Sequence, residues 1–496
     1  MMRVSFLAFT AILAVVTAAH AAAAQFTPVR VSVSPSCLKG IGSAFDASIS
    51  GDGRYVAFSS TASDLVPQDT NDKADIFVRD MLTGAVTRAS VSSSGEQANL
   101  DSCHANISAN GRVVVFGSWA TNLAPGTGVC QWQIFRHDLR TGKTDCVSVS
   151  TEGKPGNNRS LEARVSADGR YVAFASEASN LVPDDTNATW DVFRRDTRTG
   201  VTVRANVSST GRQTDGFGGG WGSISMSADG RYIAFFSEAT DLVPGDTNNA
   251  QDVFLRDMQA NTTTLISVSS RGEQANRGAM DPSVSADGRY VAFDSLSTNL
   301  VPGDTNNHDD VFVRDTWTRT TTRVSLTSSG EQGKRDSFFP SISADGRIIA
   351  FETLAPNLAL KAGYNLTALA VSDWQRGVTS GVAIPSLGAG MALDSCFPVI
   401  SADGRFVAFQ TYYALKHAGG ADNPVSVFVQ GPQDAVAPFT TADVVAILRR
   451  FGGLSGAGTE RSVRTDLVLS GVSAERLDLV VAVRIARKVA GLEANP

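Results

Sequence analysis

A block of the form Ser-x-Asp-Gly-Arg, followed by a short β-branched and aromatic run, returns seven times along this 496-residue chain. The two residues before the arginine fall at Asp52-Gly53, Asn110-Gly111 (Asn in place of Asp), Asp168-Gly169, Asp229-Gly230, Asp287-Gly288, Asp345-Gly346 and Asp403-Gly404. The spacing is 58 residues except for one interval of 61, which carries the insertion Gly216-Phe217-Gly218-Gly219-Gly220. Such regularity means that each unit is one supersecondary element stacking on its neighbours. In the fifth unit the strand signals are Pro282–Ser285, Tyr290–Asp294, Asp310–Arg314 and Thr321–Leu326. Asp-Gly joins the first two as a hairpin, read as type I′ because glycine enters the left-handed region without a Cβ clash. The second hairpin turns at Thr83-Gly84, Thr141-Gly142 or Thr199-Gly200. Four antiparallel strands at a period above about 40 residues describe a propeller blade. The expected fold is all-β: a seven-bladed β-propeller over residues 25–436.

The last unit supplies three strand signals, near Val399, Phe406–Gln410 and Val425–Val429, and then stops. A segment of the missing fourth type, Val29-Arg30-Val31-Ser32-Val33, lies near the N-terminus. It is expected to pair into the last blade, which closes the ring and removes a sheet edge.

The core phrase Ser166-Ala167-Asp168-Gly169-Arg170-Tyr171-Val172-Ala173-Phe174 and its counterparts resemble the TolB-type, WD-like propeller repeat. The resemblance implies fold, and no role is carried over, because propellers host binding, scaffolding and catalysis alike. Arg54, Arg112, Arg170, Arg231, Arg289, Arg347 and Arg405 follow the turn, and Asp80, Asp138, Asp196, Asp257, Asp315 and Asp373 end the third strand. Across an antiparallel pair each Arg should meet its Asp, an ion pair inside the blade rather than a charged ligand ring.

Four units share a loop between strands two and three. Its oxygen-bearing positions are Asp69/Asn71/Asp75, Asp185/Asn187/Asp191, Asp246/Asn248/Asp252 and Asp304/Asn306/Asp310. Oxygen ligands at positions 1, 3 and 7 of a tight loop suit calcium. Asp and Asn also build turns by bonding their own backbone. The second unit has Thr127, Val129 and Gln133 instead. The same face carries the connections Ser94-Gly95-Glu96-Gln97, Arg271-Gly272-Glu273-Gln274 and Ser329-Gly330-Glu331-Gln332, with His104, Trp119, Trp132, Trp190, Trp221 and His308 nearby. Aromatic rings among amides and carboxylates stack on sugars or peptides, so this face is expected to bind a protein or glycan partner.

An enzyme is not expected. After the leader the histidines are His104, His137, His308 and His417, without partners at metal-ligand spacing, and no Gly-x-Ser-x-Gly elbow or phosphate loop occurs. The alternative is a hydrolase or lyase acting in the central channel. Carboxylates and histidine converging on one channel mouth would favour it, and innermost strands lined by Ser, Val and Ile would favour a scaffold.

Residues 1–24 read as a signal peptide: Arg3, an apolar run from Phe6 to Ala19, and small residues around Ala21 to Ala24. The expected location is therefore periplasmic or extracellular, and no stretch is long and apolar enough for a membrane span. Without Arg3, 42 basic residues face 49 acidic ones, which argues against nucleic acid as a partner. Cys37, Cys103, Cys130, Cys146 and Cys396 are odd in number, so at least one thiol has no intramolecular partner. Residues 437–496 shift toward helix formers. Thr440-Thr441-Ala442-Asp443-Val444 and Val483-Arg484-Ile485-Ala486-Arg487 resemble the paired helices of a dockerin. That resemblance implies a small α-helical module, calcium loops and a cohesin-like partner. Val436-Ala437-Pro438-Phe439, before the first helix, holds no calcium ligand.

Overall fold

The computed structural model describes residues 28–33, 42–127, 131–216, 224–359, 366–382, 393–413 and 425–431. The leader (1–24) and the helical module (437–496) expected from the sequence lie outside the described residues. Within them the chain forms seven four-stranded antiparallel sheets and no helix. Six of the sheets are ordered along the chain from an innermost to an outermost strand, and every sheet packs on the sheets before and after it. The last packs back on the first, so this is a closed seven-bladed β-propeller.

The strand two sequence explains the stacking. Tyr-Val-Ala-Phe is apolar at every position because both faces of the blade are covered by neighbours. Val172, Ala173, Phe174 and Ala175 are all fully buried, as are Ile233, Ala234 and Phe235 one blade on. The buried apolar residues fall into seven clusters, each shared by two adjacent blades. Inside six of the blades a strand-two Phe faces a strand-three Phe at ring distances of 5.8–6.0 Å, as in Phe293 and Phe312.

The Ser-x-Asp-Gly turn differs from the type I′ expectation: Gly53, at φ 73°, takes the left-handed conformation and Asp52 does not. Four residues link the closing pair Ser50 and Tyr55, and Gly53 N–H donates to Ser50 O at 3.0 Å. Ser50 Oγ and the Asp52 carboxylate complete the turn through the N–H groups of Tyr55 and Arg54. These turns also join the blades. Gly51 donates to Ala109 O, Asn110 to Ala167 O, Ala167 to Ala228 O, and the chain of bonds runs on through Ala286, Ala344 and Ala402. Asp403 N–H then donates to Gly51 O at 3.2 Å and completes the circle.

The seventh sheet takes its outermost strand from the N-terminus, as expected. Val29 pairs with Val429 and Arg30 with Phe428. Val31 N–H donates to Val427 O at 2.8 Å, and its side chain is fully buried in the cluster between the last and first blades.

The Arg–Asp pairs form in six blades, with Nη2–Oδ2 distances of 2.5–2.7 Å. The Arg112 guanidinium holds the Asp138 carboxyl at about 2, and Arg231 does the same for Asp257. A carboxylate whose pKa is lowered on folding contributes stability above the ordinary carboxylate range, and loses it as the pH falls toward 2. The Asp also caps the next hairpin: Asp315 Oδ1 accepts the N–H groups of Trp317 and Thr318 at 2.9 and 3.2 Å. Arg289→Ala should therefore cost little, because the guanidinium is largely solvated. Asp315→Ala should cost more, about 1–3 kcal/mol, because it also strands two donors. Urea melts of the double mutant should show less than the sum, and strict additivity would mean the pair does not interact.

Candidate functional site

The innermost strands are not regular. In six blades the pairing of strands one and two skips at a bulge, between Phe45 and Ser48 in the first and between Met280 and Ser283 in the fifth, for example. One residue in each bulge takes a positive φ: Asp46 (55°), His104 (60°), Glu162 (54°), Asp281 (49°), Phe339 (51°) and Phe397 (52°). All are non-glycine residues in a region that costs about 1–2 kcal/mol. Strain of this kind persists where the surroundings over-determine it, and it gathers at functional sites. The fifth blade shows why sequence reading missed it. Its innermost strand runs over Ala279–Val284 and starts before Pro282, because the bulge at Asp281 absorbs the break.

These residues converge on the axis from the end of the blades that carries the loops between strands two and three. His104 N–H donates to Asp46 Oδ2 at 2.9 Å, and the two side chains pair at 3.3 Å. Burial opposes both charges, yet each partner holds the other charged, with Asp46 below and His104 above its usual pKa. Glu162 is paired with Arg164 at 3.3 Å. Trp132 lies against Gly117, where a Cβ would come 2.2 Å from the indole nitrogen, and its ring meets His104 and Trp119 edge-on. On the other side Phe338, Phe339 and Phe397 form an aromatic group with centroids 5.1–5.3 Å apart, and Phe397 is exposed. Phe397 N–H donates to Glu352 Oε1.

Between these lies an acid pair. Asp281 stands opposite strand two, where Asp294 is 1% exposed, and the two carboxyls hydrogen-bond. Burial, then the charges of Glu162 and Asp309, push Asp281 up to about 7. Burial, with Asp281 and Asp309, raises Asp294 well above its ordinary value. The pair keeps a proton near neutral pH because two adjacent carboxylates resist ionising together. Glu162 acts on Asp281 from two blades away, which puts both at one mouth of the channel.

The loop residues expected to hold calcium are placed differently. In the first blade Arg88, from the outermost strand, lies 3.1 Å from Asp69 and 3.6 Å from Asp75. Arg204 meets Asp185 and Asp191 at 3.2 and 3.1 Å, and Arg323 meets Asp304 and Asp310 at 3.3 and 3.1 Å. The Asn members turn their amide nitrogen inward: Asn71 donates to Asp75 and Asn306 to Asp310, each at 3.0 Å. Their oxygens accept backbone N–H groups of the loop, from Lys73 and His308. Asn187 donates to Asp191 at 3.4 Å. The fourth blade departs from this pattern. Leu265 pairs with Phe254, where Arg88 pairs with Phe77, so no guanidinium enters from that position. Asp246 and Asp252 are buried there, and Gln274 Nε2 donates to both at 2.7 and 2.9 Å, while Asn248 donates to Asp252 at 2.8 Å. Among the described residues no three His, Cys, Asp or Glu side chains are grouped to hold a metal. Of the other residues singled out, His137 is buried against Thr144, His308 pairs with Asp336 at 2.9 Å, and Trp190 stacks under Arg159. Trp221 and His417 lie outside the described residues. Among the described residues, Cys103, Cys146 and Cys396 form no disulfide.

No protein-family model and no curated protein matches the chain. Solved structures do. TolB from Acinetobacter baumannii is 17% identical with a TM-score of 0.34, over 58% of this chain and 55% of that one, so the match spans about half of that protein's length. Oligogalacturonate lyase from Vibrio parahaemolyticus is 12% identical with a TM-score of 0.49, over 84% and 96%. The β-propeller domain of the Trilobed protease from Pyrococcus furiosus is 11% identical with a TM-score of 0.47, over 80% and 99%. The likeness is one of propeller architecture, which the seven sheets already establish.

Proposed function

We propose that the protein is an exported binding scaffold whose protein or glycan ligand sits at the channel mouth, between the His104/Trp119/Trp132 and Phe338/Phe339/Phe397 groups. The observation that carries this reading is the ring of strained bulges, which spends backbone energy to aim unlike side chains at one point. Most of the charged groups there are already committed to structural bonds: Asp46 to His104, Glu162 to Arg164 and Glu352 to Phe397 N–H. Titration against an array of cell-wall glycans and envelope peptides tests it. Trp119→Ala should weaken the ligand found by about tenfold or more. Binding that depends on the outer connections and ignores the mouth would sink the reading.

A channel hydrolase or lyase is the second reading, and the Asp281–Asp294 pair favours it. One protonated and one ionised carboxyl with a pKa near working pH is what general acid–base chemistry needs. The same titrations, followed for released product, separate the two: turnover abolished by Asp281→Asn supports an enzyme, and tight binding without product supports a scaffold.

For calcium, the reading narrows to the fourth blade, because Leu265 leaves Asp246 and Asp252 without the guanidinium that their counterparts have. Calcium at ten times its Kd should stabilise the protein by about 1.4 kcal/mol, and Leu265→Arg should remove that response. Identical melting curves in chelator and in 10-fold excess calcium would end this reading.

A further inference from the structure

We propose that the Asp281–Asp294 corner of the channel mouth seats a primary ammonium or guanidinium group, carried by a basic side chain of a partner peptide or by a polyamine. This rests on the reading of the mouth as a ligand site and assigns the charge of what it takes. The two carboxyls hydrogen-bond each other, and Asp294 Oδ1 is buried without an N–H or hydroxyl partner among the described residues. Asp294 is nine-tenths buried and more, whereas Asp281, at its side, is partly exposed at the mouth. A hydrogen-bonding cation entering from the mouth would meet Asp281 first and that acceptor behind it.

The surroundings supply attraction and no competing cation. The charges acting on Asp281 and Asp294 come from Glu162 and Asp309, both acidic. Asp309 is itself held at about 7 by burial and by Asp336 and Asp310. The mouth's own cations are engaged elsewhere, His104 with Asp46 and Arg164 with Glu162. Phe339, whose N–H bonds Asp294, brings the aromatic group alongside, and ring faces favour ammonium and guanidinium. A metal ion fits less well, since no third ligand joins the pair among the described residues. An ammonium or guanidinium can donate to both carboxyls at once, with its remaining donors turned to the solvent at the mouth. Because the pair carries a proton near neutrality, a bound cation must displace it, so affinity should rise with pH through about 7.

Isothermal titration of the full chain at pH 8 and pH 5.5 tests this with three probes: a tetralysine peptide, its Nε-acetylated form and spermidine. The lysine peptide should bind, acetylation should weaken it by about tenfold or more, and Asp281→Asn and Asp294→Asn should each do the same. Binding should also weaken at pH 5.5. Spermidine binding as tightly as the peptide assigns a polyamine, and peptide binding alone assigns a basic side chain; both uphold the ammonium seat. Equal binding of the acetylated peptide, or no loss in either variant, would overturn it. So would silence from all three probes. If an uncharged glycan then binds and Trp119→Ala weakens it, the ammonium seat falls and the mouth reading stands.

Discussion

Deleting the chain through Ser34 should lower the stability of the propeller by about 3.5–5 kcal/mol. The segment is short, with only Val29 and Arg30 in ladder register against Val429 and Phe428. Its weight lies in what it buries. Val31 is fully enclosed between the last and first blades, packed with Val427, Val429 and Phe58. Burying one valine is worth about 1.5–3 kcal/mol. Val31 N–H bonds Val427 O at 2.8 Å, and Arg79 reaches back to Val33 O at 2.8 Å, each bond adding about 1 kcal/mol. Losing the segment also bares the edge of the strand Ser426–Gln430, so aggregation should accompany the lower midpoint. Urea denaturation followed by fluorescence gives the number, and an unchanged midpoint would show that the ring closes by other means.

Gly288→Ala should cost about 2–5 kcal/mol, combining two separable penalties. Gly288 sits at φ 76°, and a Cβ there would come 2.1 Å from Cδ2 of Tyr232 on the preceding blade. Gly272 is the internal control: its φ is 83°, but nothing lies within 4 Å of its Cβ direction. Gly272→Ala should therefore cost about 1 kcal/mol, the conformational part alone. The difference between the two melts measures the close approach between blades. Equal costs would mean that the Tyr232 ring yields freely. The same contact recurs around the ring, with Tyr55 on Gly111, Tyr171 on Gly230, Tyr290 on Gly346 and Phe406 on Gly53, where it closes the circle.

The residues of the mouth share one offset in the repeat, six positions before the Asp-Gly step, at Asp46, His104, Glu162, Asp281, Phe339 and Phe397. That constancy was a signal in the sequence. It is faint, because the residue types differ where their neighbours repeat, and a search for common motifs passes over a position that varies. The loop carboxylates are a case where the chain order hides the neighbour. Asp69 and Asp75 look like ligands along the chain, but the residue that fills the space between them, Arg88, comes from the strand after. Leu265, the exception, looks like any other strand residue until its neighbours are known.

By itself the sequence determined the blades, their number, the strand pairing within each, the Arg–Asp ion pairs and the closing segment. All of these follow from turn chemistry, side-chain alternation and cross-strand neighbours, which act over a few residues and repeat with the unit. Only the tertiary structure decided which groups meet at the mouth. Asp281 and Glu162 are far apart in sequence and two blades apart in the ring, and no local rule couples them. Their proximity, and the raised pKa that follows from it, exists because closing the circle brings the innermost strands to one axis, where charges that are independent along the chain lose water and feel each other.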